Sequence, residues 1–211
     1  DRFPETMVLK TMSYAEVYEA VQQIAQGKIK DIETIAIDPI TILWNQLQEG
    51  RLEYLRRKAT RRGVDASSVD LTFQDWNDIK RKYNALATLL LNIPLNVVIT
   101  GRMKDEYKIE KVDGRMEMSK IGVKMNAEKD TPYIFDIRLR MEMRNKERYA
   151  IVEKDRSGTY DTGAEIKNPS FTKHLKPIFD KYKDAKEEAS VPDADDAIEK
   201  DLNTDASAVE L

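Results

Sequence analysis

The sequence predicts an α/β fold: a parallel sheet with an antiparallel hairpin extension. Three observations predict it. Two short runs, Thr34-Ile35-Ala36-Ile37-Asp38-Pro39 and Leu95-Asn96-Val97-Val98-Ile99-Thr100, have the continuous apolar character of buried parallel strands. Helical periodicity lies before and between them, and Met7-Val8-Leu9 reads as a further short strand, so strands and helices alternate. Beyond residue 134 the period changes to two. Phe135, Ile137, Leu139, Met141 and Met143 alternate with Asp136, Arg138, Arg140 and Glu142, the pattern of a strand with one wet face.

Each helix carries its own start and stop. Ser13 with Glu16 three residues later forms a capping box, and Tyr14, Val17, Tyr18, Val21, Ile24 and Ala25 then follow the helical period up to Gly27. Thr72 and Asp75 make a second box. The helix behind it shows Trp76, Ile79, Tyr83, Leu86, Leu90 and Leu91 on one face and ends before Pro94. A turn at Arg144-Asn145-Lys146 returns the alternating strand against Tyr149 to Val152, and a last helix is expected over about Phe171 to Glu188.

Composition removes several classes of function. With 211 residues the chain is one or two domains, and 41% hydrophobic with 35% charged residues describes a globular but highly charged protein. No apolar run approaches the roughly 18 residues of a bilayer span. Zero cysteines exclude disulfides, thiolate metal sites and cysteine nucleophiles, and a single histidine, His174, argues against His-based zinc sites and Ser-His triads. No secretory pattern opens the chain, so a cytoplasmic location is expected; Asp1 in place of Met reads as a trimmed or partial chain. Residues 183–211 hold ten acids against three lysines, a local −7, which leaves residues 1–182 at +4. The expected division is therefore a core over 1–182 and an acidic, disordered tail over 183–211, either solvating or a nucleic-acid mimic.

Chemistry is expected at the strand ends. Asp38 closes a buried parallel strand, where open α/β sheets bind ligands, and a carboxylate there can hold magnesium through water. Thr100 and Arg102 close the neighbouring strand and could sense a γ-phosphate or an attacking water. Between the two strands, residues 51–63 carry six bases and one acid: Arg51, Arg56, Arg57, Lys58, Arg61 and Arg62 around Glu53, with Tyr54 interleaved. That composition suits phosphate contact as well as a solvated helix face. Residues 102–132 form a second long connection, with eight bases (Lys104 and Lys108 among them) nearly cancelled by seven acids. Lys154 and Arg156 stand at the end of the hairpin, where they could reach a phosphate in a neighbouring subunit or simply lie on the surface.

In this order the parts resemble the RecA-like ATPases of bacteriophages and prophages, AAA-domain proteins associated with single-strand annealing recombination. The resembling segments are Ser13 to Trp44, Gln74 to Tyr107 and Glu128 to Ser170, and the FD, EKDR and NPS elements of the third are the most specific. The resemblance implies a RecA-like P-loop NTPase core, with Asp38 ending the Walker B strand and acting on ATP and Mg2+. It implies Thr100 and Arg102 at the sensor position, and Lys154 and Arg156 as basic fingers across a subunit interface. It places DNA-binding loops at about residues 45–72 and 101–132. The partners implied are single-stranded DNA, further copies in a ring or filament, and a single-strand-binding protein, in a bacterial or phage-infected cell during recombination, repair or replication. Two departures stand out: Pro39 follows the Walker B acid where many AAA-type ATPases carry glutamate, and no stretch matches G-x-x-x-x-G-K-[ST]. The expectation is that the phosphate loop and a central strand precede Asp1. The alternative is a non-hydrolysing DNA-annealing module or a structural partner subunit.

Overall fold

Local signals set the helices. Ser13 Oγ accepts from the Glu16 N–H and opens α1 (Tyr14–Ala25), which stops at Gln26 before Gly27, at φ 68°. Strand β1 (Thr34–Ile37) leads through a cis Asp38–Pro39 peptide into α2 (Ile40–Arg61), a 22-residue helix. The computed structural model describes residues 6–112 and 115–182. Thr72 caps α3 (Phe73–Asn92) in a reciprocal box with Asp75, and β2 (Asn96–Ile99) follows.

β1 and β2 pair in parallel, from Thr34 opposite Asn96 to Ile37 opposite Ile99. Ile35 and Ile37 point into a core built from Val21 of α1, Ile40, Leu43, Trp44 and Leu47 of α2, and Ile79, Tyr83, Leu86 and Leu90 of α3. The Trp44 ring meets Tyr83 edge-on at 5.3 Å. The helix periods therefore read the core correctly at Ile79, Tyr83, Leu86 and Leu90, but Leu91 is exposed. Thr34, Ala36, Asn96 and Val98 on the opposite face of the two strands are also exposed, so burial on both faces does not hold in this chain. Met7, Val8 and Leu9 form no strand and are exposed, because no neighbouring strand takes up their backbone groups.

The expected loop at 45–72 is largely helix: α2 continues to Arg61, followed by a single 3-10 turn at Ala66–Ser68. The expected connection at 101–132 is a long antiparallel hairpin, β3 (Met103–Val112) with β4 (Arg115–Met125), followed by the short helix α4 (Thr131–Ile134). Tyr83 Oη bonds Thr131 Oγ1 at 2.8 Å in a buried site. Burial, together with the charge of Glu128, pushes the Tyr83 hydroxyl up to about 12 against the opposing effect of that hydrogen bond.

The chain divides into two units, up to Arg138 and from Leu139 on. The second holds a three-stranded sheet in the order β5 (Ile137–Arg144), β6 (Glu147–Asp155), β7 (Glu165–Lys167). Asn145 and Lys146, both at positive φ, turn β5 into β6 as the sequence predicts. Its core is small: Ala150, Val152 and Ile166, with Leu139, Tyr160 and Ala164 beside them. Met141 and Met143 are exposed, while Arg140, Glu142 and Arg144 join Glu153 and Glu165 in an ion-pair network. The expected dry face therefore covers only the Leu139 end of the strand. The last helix is a π-type turn, Phe171–Leu175, running into α5 (Lys176–Tyr182); its expected continuation and the acidic tail lie outside the described residues.

Asp75 ties α3 to α2. It accepts from the Thr72 N–H (2.9 Å) and hydroxyl (2.6 Å) and pairs with Arg51 at 2.7 Å. Those hydrogen bonds, with the Arg51 charge, hold its carboxyl down at about 2 against the opposing effect of burial. A lowered folded pKa stabilises above the unfolded value near 4, and that stability is lost as pH falls toward 2. Denaturation midpoints measured between pH 5 and 2 should fall steeply for the native chain, and Asp75→Asn should flatten that dependence.

Candidate functional site

The parallel ladder does not stop where the strands do. Thr100 N–H donates to the Ile37 carbonyl at 3.0 Å, and the Ile40 N–H returns to the Thr100 carbonyl at 3.0 Å. One step further, the Arg102 N–H donates to Thr41 Oγ1 at 2.9 Å, and the Asn126 N–H to the Arg102 carbonyl at 2.7 Å. These bonds set Asp38 and Thr100 side by side at the carboxyl edge, and the Thr100 hydroxyl donates to Asp38 Oδ1. Asp38 is exposed, and its Oδ2 makes no hydrogen bond among the described residues.

This pair suits water-mediated metal binding. A magnesium ion needs one or two protein carboxylates and keeps its other positions for water and substrate oxygens. Asp38 supplies one outward-facing carboxylate oriented by a neighbouring hydroxyl. No group of three or more His, Asp or Glu converges on a metal position among the described residues. A single exposed carboxylate such as Asp38 could serve only a metal that takes its remaining ligands from water and a bound phosphate. A triphosphate also needs a cradle of backbone N–H groups, and the 211 residues contain no glycine-rich motif of that kind.

Arg102 follows with an exposed side chain, its backbone locked by Thr41 and Asn126. Gly101 is tightly enclosed there: a Cβ would sit 2.1 Å from the Met125 methyl and 2.8 Å from its Cγ. Thr41, 1% exposed, is the residue that sequence reasoning passed over. The spacing Ile40, Leu43, Trp44, Leu47 was the signal for it, since it marks a helix starting straight after Pro39.

The basic segment lies on the outer part of α2. Tyr54, Arg57, Lys58 and Arg61 line one open groove at helical spacing, with Arg56 and Arg62 exposed beside them. Arg57 pairs with Glu53 at 3.2 Å, both well exposed, a contact that water and salt weaken. Arg51 stands apart from this groove. It is committed to Asp75, approaches Asp78 at 3.5 Å, and stacks over the Tyr54 ring at 5.6 Å. Lys58 and Arg61 also lie in the last turn of α2, where cations favour the helix C-terminus, so part of this charge serves the helix itself.

Lys104 and Lys108 lie on β3 rather than in a loop, and Lys108 pairs with Glu110 at 2.6 Å. Lys154 and Arg156 belong to the second unit, where β6 ends and the chain turns. Asp155 between them organises that turn by accepting from the N–H groups of Ser157 (2.7 Å), Thr159 (3.1 Å) and Tyr160 (2.8 Å). Both cations are engaged by neighbours.

Two substitutions separate scaffold from chemistry at the strand ends. Thr41→Val strips the Arg102 N–H of its acceptor and should cost about 1–3 kcal/mol in urea unfolding. Thr100→Val removes a bond to an exposed carboxylate and should change stability by less than about 1 kcal/mol.

The family model described as AAA domain matches residues 1–170. No curated protein and no solved structure matches the chain. A mixed α/β chain with a parallel strand pair ending in Asp38 and Thr100 is compatible with an AAA-type nucleotide-binding fold, and the match covers both strand ends and the hairpins. The chain belongs to the AAA domain family, whose members generally bind ATP with Mg2+, and this suggests an ATPase of some kind.

Proposed function

We propose that the chain is the Walker B and DNA-contacting part of a RecA-like ATPase, acting on single-stranded DNA in recombination, repair or replication. The observation that carries this reading is the Asp38–Thr100 hydrogen bond across adjacent parallel strand ends. A bare strand-end aspartate is common. One oriented by a hydroxyl on the next strand, with Arg102 two residues on, is a constellation that can meet both a metal and a terminal phosphate. In this reading a magnesium ion held here would supply positive charge to phosphate oxygens. Asp38 holds its water shell, and Thr100 keeps the carboxylate aimed. Lys154 and Arg156 act toward a nucleotide bound by another copy in a ring or filament.

The DNA surface in this proposal is the groove of Tyr54, Arg57, Lys58 and Arg61, with Arg56 and Arg62. Cations there meet phosphates, and Tyr54 offers a ring for base stacking. Lys104 and Lys108 join it through the resemblance but carry less of it, since Glu106 and Glu110 alternate with them. Arg51 supports the groove by stacking on Tyr54. A second reading, a DNA-annealing module that does not hydrolyse ATP, is favoured by Pro39. The position after the metal-binding acid holds no carboxylate to activate water.

Two titrations on the 211-residue chain test this. Magnesium-dependent binding of a fluorescent ATP analogue that Asp38→Asn abolishes supports the first reading for these residues, whereas no binding by the folded chain removes a nucleotide role from them. Fluorescent oligonucleotide should bind with a salt slope that drops by about 2 when Arg56, Arg57 and Arg61 become alanine, near 0.7 per lost contact on single strands. Nucleotide binding that ignores Asp38→Asn favours the second reading. A triple variant with unchanged DNA affinity removes the DNA surface.

A further inference from the structure

The β3–β4 hairpin is an exposed, half-finished sheet. Among the described residues its strands, Met103–Val112 and Arg115–Met125, pair only with each other. Two strands without a third, or without a packed face, are marginal in water. One face is largely apolar and open: Tyr107, Ile109, Met116, Met118 and Val123 are 42–71% exposed, with the Asp105–Lys120 ion pair (2.6 Å) and Lys111 the charges among them. The other face of β3 reads Lys104, Glu106, Lys108, Glu110, strictly alternating in sign.

The two outer edges differ. β4 is broken by a bulge, since Glu106 faces Gly122 and Tyr107 faces Lys120 with Ile121 as the extra residue. β3 runs unbroken for ten residues, and its outer edge has no strand beside it among the described residues. Edge lysines usually blunt such an edge against association. Here the alternation does the reverse. When β3 lies antiparallel to a second β3 with Tyr107 opposite Tyr107, Lys104 faces Glu110 and Glu106 faces Lys108, each twice by symmetry. Sliding that pairing so that Glu106 faces Glu106 sets Lys104 against Lys108, placing like charges opposite each other. Opposite charges in directly facing positions stabilise a pair and like charges destabilise it, so the charges favour the register centred on Tyr107, which sets more opposite charges face to face than those centred on Asp105 or Ile109.

We infer that β3 is a self-recognition edge: two copies of this chain join antiparallel along β3 about a two-fold axis at Tyr107. The interface is isologous, as closed dimers require. It makes a four-stranded sheet whose apolar face carries Tyr107, Ile109, Met116 and Met118 from both copies. The inference does not rest on the nucleotide or DNA reading.

Charge swapping tests it on the full 211-residue chain. Lys104→Glu/Lys108→Glu makes the face wholly acidic, and Glu106→Lys/Glu110→Lys makes it wholly basic. Without nucleotide or DNA, native chain should sediment as a dimer at about 100 µM, each double variant as a monomer, and an equimolar mixture of the two as a dimer again. Restored mass in the mixture also shows that both variants fold. Because the chain has no cysteine, Tyr107→Cys should cross-link to a covalent dimer under mild oxidation, while Ser119→Cys on β4 should not. Monomeric native protein, no restoration on mixing, or equal cross-linking of the two cysteine variants overturns the inference. So does unchanged mass with lost oligonucleotide binding in Lys104→Glu/Lys108→Glu, which would make the hairpin a nucleic-acid surface.

Discussion

The continuation of the parallel ladder past the ends of β1 and β2 is the constraint on which the first unit depends. A strand end normally releases its backbone groups to turns or water. Here Thr100 both donates to Ile37 and accepts from Ile40, so the end of β2 is stitched to the first turn of α2. Buried Thr41 then takes the Arg102 N–H, and the Arg102 carbonyl takes the Asn126 N–H, which brings the base of the hairpin to the same edge. Asp38 and Thr100 need no machinery of their own to meet. Their positions follow from the scaffold, which leaves their side chains free for chemistry.

A similar division runs through α2. Its first half is core, with Ile40, Leu43, Trp44 and Leu47 buried against α3. Its second half is exposed and cationic. Arg51 marks the change: its guanidinium pairs with Asp75 at the start of α3 and also lies over the Tyr54 ring at the head of the basic groove. A half-buried, hydrogen-bonded pair of this kind rigidifies, whereas the exposed Arg57–Glu53 pair is screened and exchangeable. Cations used for structure and cations available to a ligand thus sit within two turns of each other on one helix.

The elements legible in the sequence were those whose information is local. Capping at Ser13 and at Thr72 with Asp75, the buried stripe from Ile79 to Leu90, the stop at Gly27 and the Asn145-Lys146 turn all follow from neighbours within four residues. The elements misjudged were those where charge hid the period. Six bases made residues 51–63 look like a loop, although Leu47, Arg51, Tyr54 and Lys58 continue the helical spacing. In the hairpin, near-cancelling charges masked the alternation of Tyr107 with Ile109 and of Met116 with Met118. At Met7–Leu9 and at Met141 and Met143, apolar residues suggested burial where there is too little core nearby to bury them.

By itself the sequence determined the α/β class, the two parallel strands and the residues at their ends, because strand propensity, caps and apolar period are properties of short segments. It also determined the AAA kinship. Only the tertiary structure decided that Thr100 reaches Asp38, that Thr41 locks the strand end, that Arg51 pairs with Asp75 of α3 and that Lys104 and Lys108 stand on an open sheet edge. Those outcomes join residues 24 to 62 positions apart or depend on which edge stays unpaired. Contacts at that separation are set by how the elements pack, and no short stretch of the chain encodes them.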